Sequence, residues 1–274
     1  MPELPEVETV RKTLLPILGA KIRGAWVGAK GLHMGRRPPR AAIGKLVGAT
    51  FTALRRHGKY LLLDTDTPRT LLVHLGMTGR LRLHKKGEPR APHTHVVLDL
   101  GERELRYVDA RRFGQVDVVE TAREREHVGL AVLGPDPITH GIDAEVLYAA
   151  ARRKKATLKA FVLDQGVIAG MGNIYASEAL WLARLRPTRR ANKLTREATA
   201  RLAQACRDVL HDALENNGTS LRDFVDADGA EGSNWDYLNV YDRAGQPCKR
   251  CKSPIKRIVL QGRATYFCPT CQTP

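Results

Sequence analysis

Four of the five cysteines in this 274-residue chain fall within its last 27 residues, as Cys248-x2-Cys251 and, sixteen residues later, Cys268-x2-Cys271. Each C-x-x-C turn presents two thiolates to one side of a tetrahedral ion, so the spacing is that of a four-cysteine zinc site. Ile255 to Leu260 and Arg263 to Phe267 are strand-like runs on either side of Gln261-Gly262, which reads as a two-residue hairpin turn. One zinc ion then clamps the base of a β-hairpin whose tip carries Arg263. Four thiolates leave no open position for water, which makes the ion structural and not catalytic. Two disulfides are the alternative, and a reducing cytosol disfavours them. Cys206 stands apart, on a helical stripe with Leu202, Val209 and Ala213, and reads as core.

Charge narrows the partner. Lys and Arg total 45 against 29 Asp and Glu, a formal +16, and 43% of residues are hydrophobic. That combination describes a folded, strongly basic chain whose expected partner is a polyanion. No apolar run reaches the roughly 18 residues of a membrane span, and Met1-Pro2-Glu3-Leu4-Pro5-Glu6 is acidic where a secretory signal is basic and then apolar. The expectation is a cytoplasmic protein with no membrane association.

Hydrophobic periodicity divides the chain. Pro5 marks a helix start at N1, and Val7, Val10, Leu14 and Leu18 follow the 3.6 period before Gly19. From Lys59 to Val119 the runs are short and strand-like: 60–63, 70–75, 80–83, 96–100, 104–108 and 115–119, with Gly101-Glu102-Arg103 as a hairpin loop. These predict an antiparallel sandwich or barrel. Gly134-Pro135-Asp136-Pro137 suits a linker. Beyond it Asp143, Thr157, Asn173 and Thr195 can each cap a helix, the last ending at Gly218, while 219–240 reads as a long mobile loop. The expected domains are therefore 1–134, 135–240 and 241–274.

Several segments carry chemistry. Gly170-Met171-Gly172-Asn173 sets two glycines before a helix, where backbone N–H groups can approach an anion. The two helices flanking this turn make a helix–turn–helix variant. With the zinc hairpin and the charge, DNA binding is the favoured reading. Met77 lies between Gly76 and Gly79, and Phe113 between Arg111-Arg112 and Gly114. Apolar side chains at such tips, beside basic ones, can wedge into a base stack. After removal of Met1, Pro2 offers a secondary amine that can attack a sugar C1′ and form an iminium. The adjacent helix dipole favours its neutral form. Glu3 beside it can serve as general acid and base, and Glu6 can hydrogen-bond around the same terminus. The six residues by themselves favour the plainer reading, a rigid acidic helix start.

Pro2-Glu3-Leu4-Pro5-Glu6-Val7-Glu8-Thr9, His57-Gly58-Lys59-Tyr60, His74-Leu75-Gly76-Met77-Thr78-Gly79, Arg111-Arg112-Phe113-Gly114, Gly172-Asn173-Ile174-Tyr175-Ala176 and the cysteine hairpin follow one another along the chain. Together they resemble the formamidopyrimidine-DNA glycosylase family from end to end. The resemblance implies an α+β fold: an N-terminal antiparallel β-sandwich with a flanking helix, then a helical domain with a helix–two-turn–helix motif and a zinc-finger hairpin. It implies a monomeric base-excision repair enzyme that acts on damaged double-stranded DNA and needs no obligate protein partner. Such an enzyme removes 8-oxoguanine and ring-opened purines, then cuts the strand by β,δ-elimination. By the same resemblance Pro2 is the Schiff-base nucleophile, Glu3 the general acid/base, and Lys59 sits beside the lesion phosphate and sugar. His74, Asn173 and Arg263 look like phosphate ligands. Met77, Arg111 and Phe113 look like gap-filling residues, with Arg111 reading the opposite cytosine, and Glu178 matches a position lining the damaged-base pocket.

Two segments depart from the family's pattern, Gly232-Ser233-Asn234-Trp235-Asp236-Tyr237 and Tyr241-Asp242-Arg243, where Tyr-Gly-Arg is usual. Leu4 and the intact Arg111–Gly114 segment place the chain in the purine-lesion branch and not with endonuclease VIII. The competing expectation is a zinc-stabilised protein that binds damaged DNA without cutting it.

Overall fold

The computed structural model of the chain describes residues 1–32, 37–219, 227, 230 and 232–273. Backbone packing divides it into two units, Met1–Ala131 with Asn216–Ser233, and Val132–Glu215 with Asn234–Pro274. The return of 216–233 to the first unit has no counterpart in the local sequence pattern.

In the first unit, helix α1 (Leu4–Thr13) starts from Glu3 in extended backbone, with a reciprocal capping box between Glu3 and Glu6. Leu4 is the first helical residue and Pro5 the second, one place later than expected, where a missing N–H still costs no helical bond. Val7, Val10, Leu14 and Ile17 enter the sandwich core. Leu18, expected on that stripe, is 42% exposed. The tighter 3₁₀ turn Leu15–Ile17 advances the phase so that Ile17 takes its place.

Eight strands follow in chain order: β1 (Gly24–Val27), β2 (Phe51–His57), β3 (Tyr60–Thr65), β4 (Arg69–His74), β5 (Arg80–Lys85), β6 (Thr94–Asp99), β7 (Arg103–Val108) and β8 (Gln115–Glu120). A short helix α2 (Arg40–Gly44) lies between β1 and β2, and α3 (Val128–Ala131) follows β8. The strands form two antiparallel sheets, β1-β6-β7-β5 and β2-β3-β4-β8. Leu61, Leu63, Leu71 and Val73 of one sheet share a core with Val96, Leu98, Leu105 and Tyr107 of the other.

The register of the second sheet positions the site. His57 pairs with Tyr60, Tyr60 with His74, and His74 with Gln115, so these four residues form one row across the sheet. From that row emerge the Gly58-Lys59 turn and the loop 75–79, which crosses to β5. The loop 109–114 returns from β7 to the same row.

Among its described residues the second unit holds four α-helices. Asp143 caps α4 (Ala144–Arg152) by accepting from the backbone N–H groups of Glu145 and Val146, and Thr157 caps α5 (Leu158–Leu163) by accepting from Ala160. The cap of α6 (Asn173–Leu182) is Gly172, not Asn173. Thr195 accepts from Ala198 at the start of α7 (Arg196–Glu215). Strands β9 (Lys256–Leu260) and β10 (Arg263–Phe267) form the expected hairpin, with Leu260 paired to Arg263. Gln261 and Gly262 have φ of +50° and +72°, the left-handed pair that a two-residue turn of this twist requires. Part of the expected loop at 219–240 falls on 220–226, 228–229 and 231, outside the described residues. Its later part forms a 3₁₀ turn, Asn234–Tyr237, with Asn234 buried. Among the described residues no helix is long and apolar enough to cross a membrane.

Candidate active site and nucleic-acid interface

The chain start is enclosed. Pro2 is buried and Glu3 is 2% exposed. The Glu6 carboxylate accepts from the Glu3 backbone N–H at 2.7 Å through one oxygen and from the Thr219 N–H at 2.8 Å through the other. Glu6 therefore binds the chain start to the segment that returns from residue 216. Gly218, with φ +82°, is where that approach is closest, since a Cβ there would meet the Glu6 side chain.

Lys59 is a buried turn residue between β2 and β3. Arg56 ties this turn to α1: its Nε donates to Glu8 Oε2 at 2.9 Å and its Nη1 to the Gly58 carbonyl at 3.1 Å. Arg11 completes the cluster, donating to Glu8 at 2.7 Å. The helix that carries Pro2 and Glu3 is thus fastened to the turn that carries Lys59. His74 ends β4 with its ring 4.7 Å from that of Tyr60, and its Nδ1 accepts from the Gly76 N–H at 3.2 Å.

Met77, Arg111 and Phe113 come together on two adjoining loops. Gly76, with φ +65°, lies so close to the backbone of Phe113 and Gly114 that no side chain fits there. The loops are joined by Asp109, which is fully buried. One of its oxygens accepts from Thr78 Oγ1 at 2.6 Å, and the other from the Gly114 N–H at 2.8 Å and the Tyr107 hydroxyl at 3.3 Å. Burial, reinforced by this carboxylate, pushes the Tyr107 phenol well above its ordinary pKa and keeps it a donor. Thr78 Oγ1 in turn accepts from the Arg111 N–H at 3.1 Å. On this support Met77 is 37% and Phe113 45% exposed, with the Arg111 guanidinium 4.9 Å from the Phe113 ring centre. Two large apolar side chains and a cation therefore project from a rigid base, as a base-stack wedge requires.

In the second unit, the side-chain amide of Asn173 donates to the Ala264 carbonyl at 2.9 Å and joins the start of α6 to β10. Its side chain is engaged with the hairpin, leaving the helix N-terminus as the anion-attracting feature. Gln165 holds the glycine turn before it, accepting from Gly170 N–H at 2.9 Å and donating to Met171 carbonyl at 2.8 Å. Arg263 is exposed at the hairpin tip. Glu178 is 3% exposed, and its carboxylate accepts from the backbone N–H groups of Asn239, Val240 and Tyr241 and from the Asn239 side chain, all within 3.0 Å. Any part it plays beside a base therefore runs through the 239–241 turn that it holds. Asp242 follows that turn in the left-handed region at φ +57°, which explains why glycine suits the position. Asp is tolerated there and accepts from the Tyr266 hydroxyl at 3.0 Å.

The four cysteine sulfurs lie within 4.8 Å of one another. Cys248 and Cys271 are 3.9 Å apart and Cys251 and Cys268 3.4 Å. A zinc–sulfur bond of about 2.3 Å places tetrahedral sulfurs about 3.8 Å apart, so the cage fits the ion. The Cys271 N–H points at Cys268 Sγ from 3.3 Å, the arrangement of a metal knuckle.

Three family profiles cover the chain: Formamidopyrimidine-DNA glycosylase N-terminal domain over residues 1–116, Formamidopyrimidine-DNA glycosylase H2TH domain over 133–225, and Zinc finger found in FPG and IleRS over 245–274. The chain belongs to the formamidopyrimidine-DNA glycosylase family. A family member from Methylococcus capsulatus (strain ATCC 33009 / NCIMB 11132 / Bath) is 46% identical over 275 residues, 99% of this chain and 100% of the relative. The crystal structure of a Lactococcus lactis FPG mutant with a Fapy-dG containing DNA superimposes with a TM-score of 0.92 at 32% identity, covering 100% of both chains. The MutM (FPG) protein from Thermus thermophilus gives a TM-score of 0.88 at 40% identity, covering 99% of this chain and 98% of that one. The four cysteines are this family's zinc-finger ligands, and the fold matches its two-part plan of antiparallel sheets and an H2TH helical domain.

The sequence analysis missed three residues here: Asp109, Gln165 and Arg56. Asp109 and Arg56 act through Thr78 and Glu8, far away in sequence, and Gln165 through the nearby backbone of Gly170 and Met171; no local pattern marks such contacts.

Proposed function

We propose that Pro2, Glu3 and Lys59 carry out the chemistry of a bifunctional glycosylase and lyase that excises oxidised purines from duplex DNA. The family assignment establishes the reaction class. The observation that supports these particular residues is the enclosed chain start, with Pro2 buried and the Glu6 carboxylate bridging Glu3 to Thr219.

Once Met1 is removed, the Pro2 nitrogen attacks C1′ of the damaged nucleoside. The base leaves with the N-glycosidic electron pair, Glu3 protonates the ring oxygen as the sugar opens, and an iminium links Pro2 to C1′. That iminium is the electron sink for loss of the C2′ proton with departure of the 3′ phosphate, and then for loss of the C4′ proton with departure of the 5′ phosphate. Lys59 lies beside the lesion phosphate in this scheme. His74, Asn173 and Arg263 hold phosphates of the strand, Met77, Arg111 and Phe113 fill the gap, and Glu178 supports the base pocket through the 239–241 turn. Zinc, when bound, supplies the cross-link that shapes the hairpin and takes no part in the reaction. The three functional segments are 1–134, 135–240 and 241–274, and the protein works as a cytoplasmic monomer on the bacterial nucleoid.

The test is borohydride trapping on a duplex with one 8-oxoguanine opposite cytosine, followed by mass mapping. A reduced adduct on Pro2 is the expected result, and Glu3→Gln lowers base excision at least ~100-fold with helix content and zinc intact. An adduct on another residue, or none from protein shown to lack Met1, would reject the assignment. Tight binding with no adduct, on an abasic site as well, is the signature of a non-cutting damage binder.

A further inference from the structure

The sandwich is open at the end away from the row of His57, Tyr60, His74 and Gln115. Strand β5 leaves the loop 75–79 at Arg80 and reaches Lys85 about 17 Å further on. There the 3₁₀ turn that follows α1 and the loop joining β6 to β7 border a cleft of about 560 Å³. Small-molecule sites occupy roughly 300–1,000 Å³. Part of the lining is apolar. Ile17 belongs to the sandwich core, and Leu83 and Leu100 pack against that core while staying only partly buried.

The rest of the lining is basic. Arg23, Lys86 and Arg103 border the same cleft, with Glu102 as its one carboxylate. Asp99 beside it is already matched. It accepts from Lys86 Nζ at 2.7 Å and from the Gly101 N–H at 2.8 Å, and these bonds hold its carboxyl below the ordinary carboxylate range. Lys86 is thereby engaged, whereas the guanidinium groups of Arg23 and Arg103 make no hydrogen bond or ion pair among the described residues. Arg23 lies against the loop, its Nε 3.2 Å from where a Cβ on Gly101 would stand. Gly101 has φ +102°, so the bend of the loop and the closeness of the guanidinium both call for glycine there.

Aliphatic surface bordered by unmatched guanidinium groups is the recognition chemistry of an organic anion. A hydrocarbon body displaces water from Leu83 and Leu100, and a carboxylate or sulfonate accepts from the planar N–H pairs of arginine. We propose that this cleft binds a small organic anion with an apolar body, the headgroup on Arg23 and Arg103 and the body on Ile17, Leu83 and Leu100. The site lies at the far end of β5 from the Met77 loop, and the proposal does not depend on the roles of Pro2, Glu3 or Lys59.

The test is a titration of full-length protein carrying ¹³C-labelled Ile and Leu methyl groups. The probes are naphthalene-2-sulfonate and octanoate, each against its uncharged match, naphthalene-2-sulfonamide and octanamide. Expected is a saturable shift of the Ile17, Leu83 and Leu100 methyl signals by at least one anion, with a Kd of about 1 mM or tighter, the level open to ligands of this size. The matching amide is expected to bind about tenfold more weakly, because it lacks the charge that the guanidinium groups meet. Arg103→Glu is expected to weaken the anion by about tenfold or more with base excision unchanged. Should that variant not fold, the comparison of anion with amide in the wild-type protein decides. The shifts are expected to persist when an undamaged duplex saturates the protein. No saturable shift by either anion, equal binding of anion and amide, or loss of the shifts on adding duplex overturns the proposal.

Discussion

Asp109 shows how one carboxylate can organise residues that never touch it. Its two oxygens receive Thr78, Gly114 and Tyr107, and through Thr78 it governs the backbone of Arg111. Asparagine has the same shape but turns an N–H₂ toward a site filled with donors. Asp109→Asn therefore leaves at least one buried donor unmet, a cost of about 1–3 kcal/mol. Expected are a lower thermal midpoint and, because Arg111 loses its support, weaker discrimination between cytosine and adenine opposite the lesion. Excision assays on both pairings check this, and unaltered discrimination in a folded variant would count against the relay. The cysteine pairs and the glycine-flanked Met77 and Phe113 were legible in sequence because their signal is local spacing. Asp109 was not, because its meaning lies in contacts with residues 78, 107 and 114.

Secondary-structure elements were legible where one face is apolar. The stripe of α1, the alternation from β3 to β8 and the Gln261-Gly262 turn announce themselves. Strand β2 does not, because Arg55 and Arg56 interrupt its apolar pattern, and only the structure shows Arg55 paired with Asp64 and Glu124, and Arg56 buried against Glu8. Burial, the largest single influence on Glu8, pushes its carboxyl upward. The hydrogen bonds and charges of Arg11 and Arg56 outweigh it and hold the group below its ordinary value of 4.5. A carboxylate with a depressed folded pKa contributes stability that is complete above its unfolded value and is lost as pH falls through the folded one. Glu8→Gln is thus expected to cost about 1.5–3 kcal/mol at pH 7. The gap in urea midpoint between variant and wild type should narrow from pH 6 to below pH 4. A gap of the same size at pH 3 would mean that the α1–β2 latch is not ionic.

At the scale of the molecule, the +16 charge predicts binding that weakens steeply with salt. Arg263→Ala is expected to reduce the slope of log K against log salt by about 0.9, one phosphate's worth, for damaged and undamaged duplexes alike. A loss confined to damaged duplex would make Arg263 a lesion reader and not a phosphate ligand. The division into units was the least legible property, since 216–233 follows a long helix of the second unit yet packs with the first. That return has a consequence for synthesis on the ribosome. Glu6 emerges among the first residues, but the Thr219 N–H that engages its second oxygen lies 213 positions later. The nascent protein therefore carries an unfinished chain start through most of its translation, and the surroundings of Pro2 and Glu3 are completed only after the whole helical segment has left the exit tunnel.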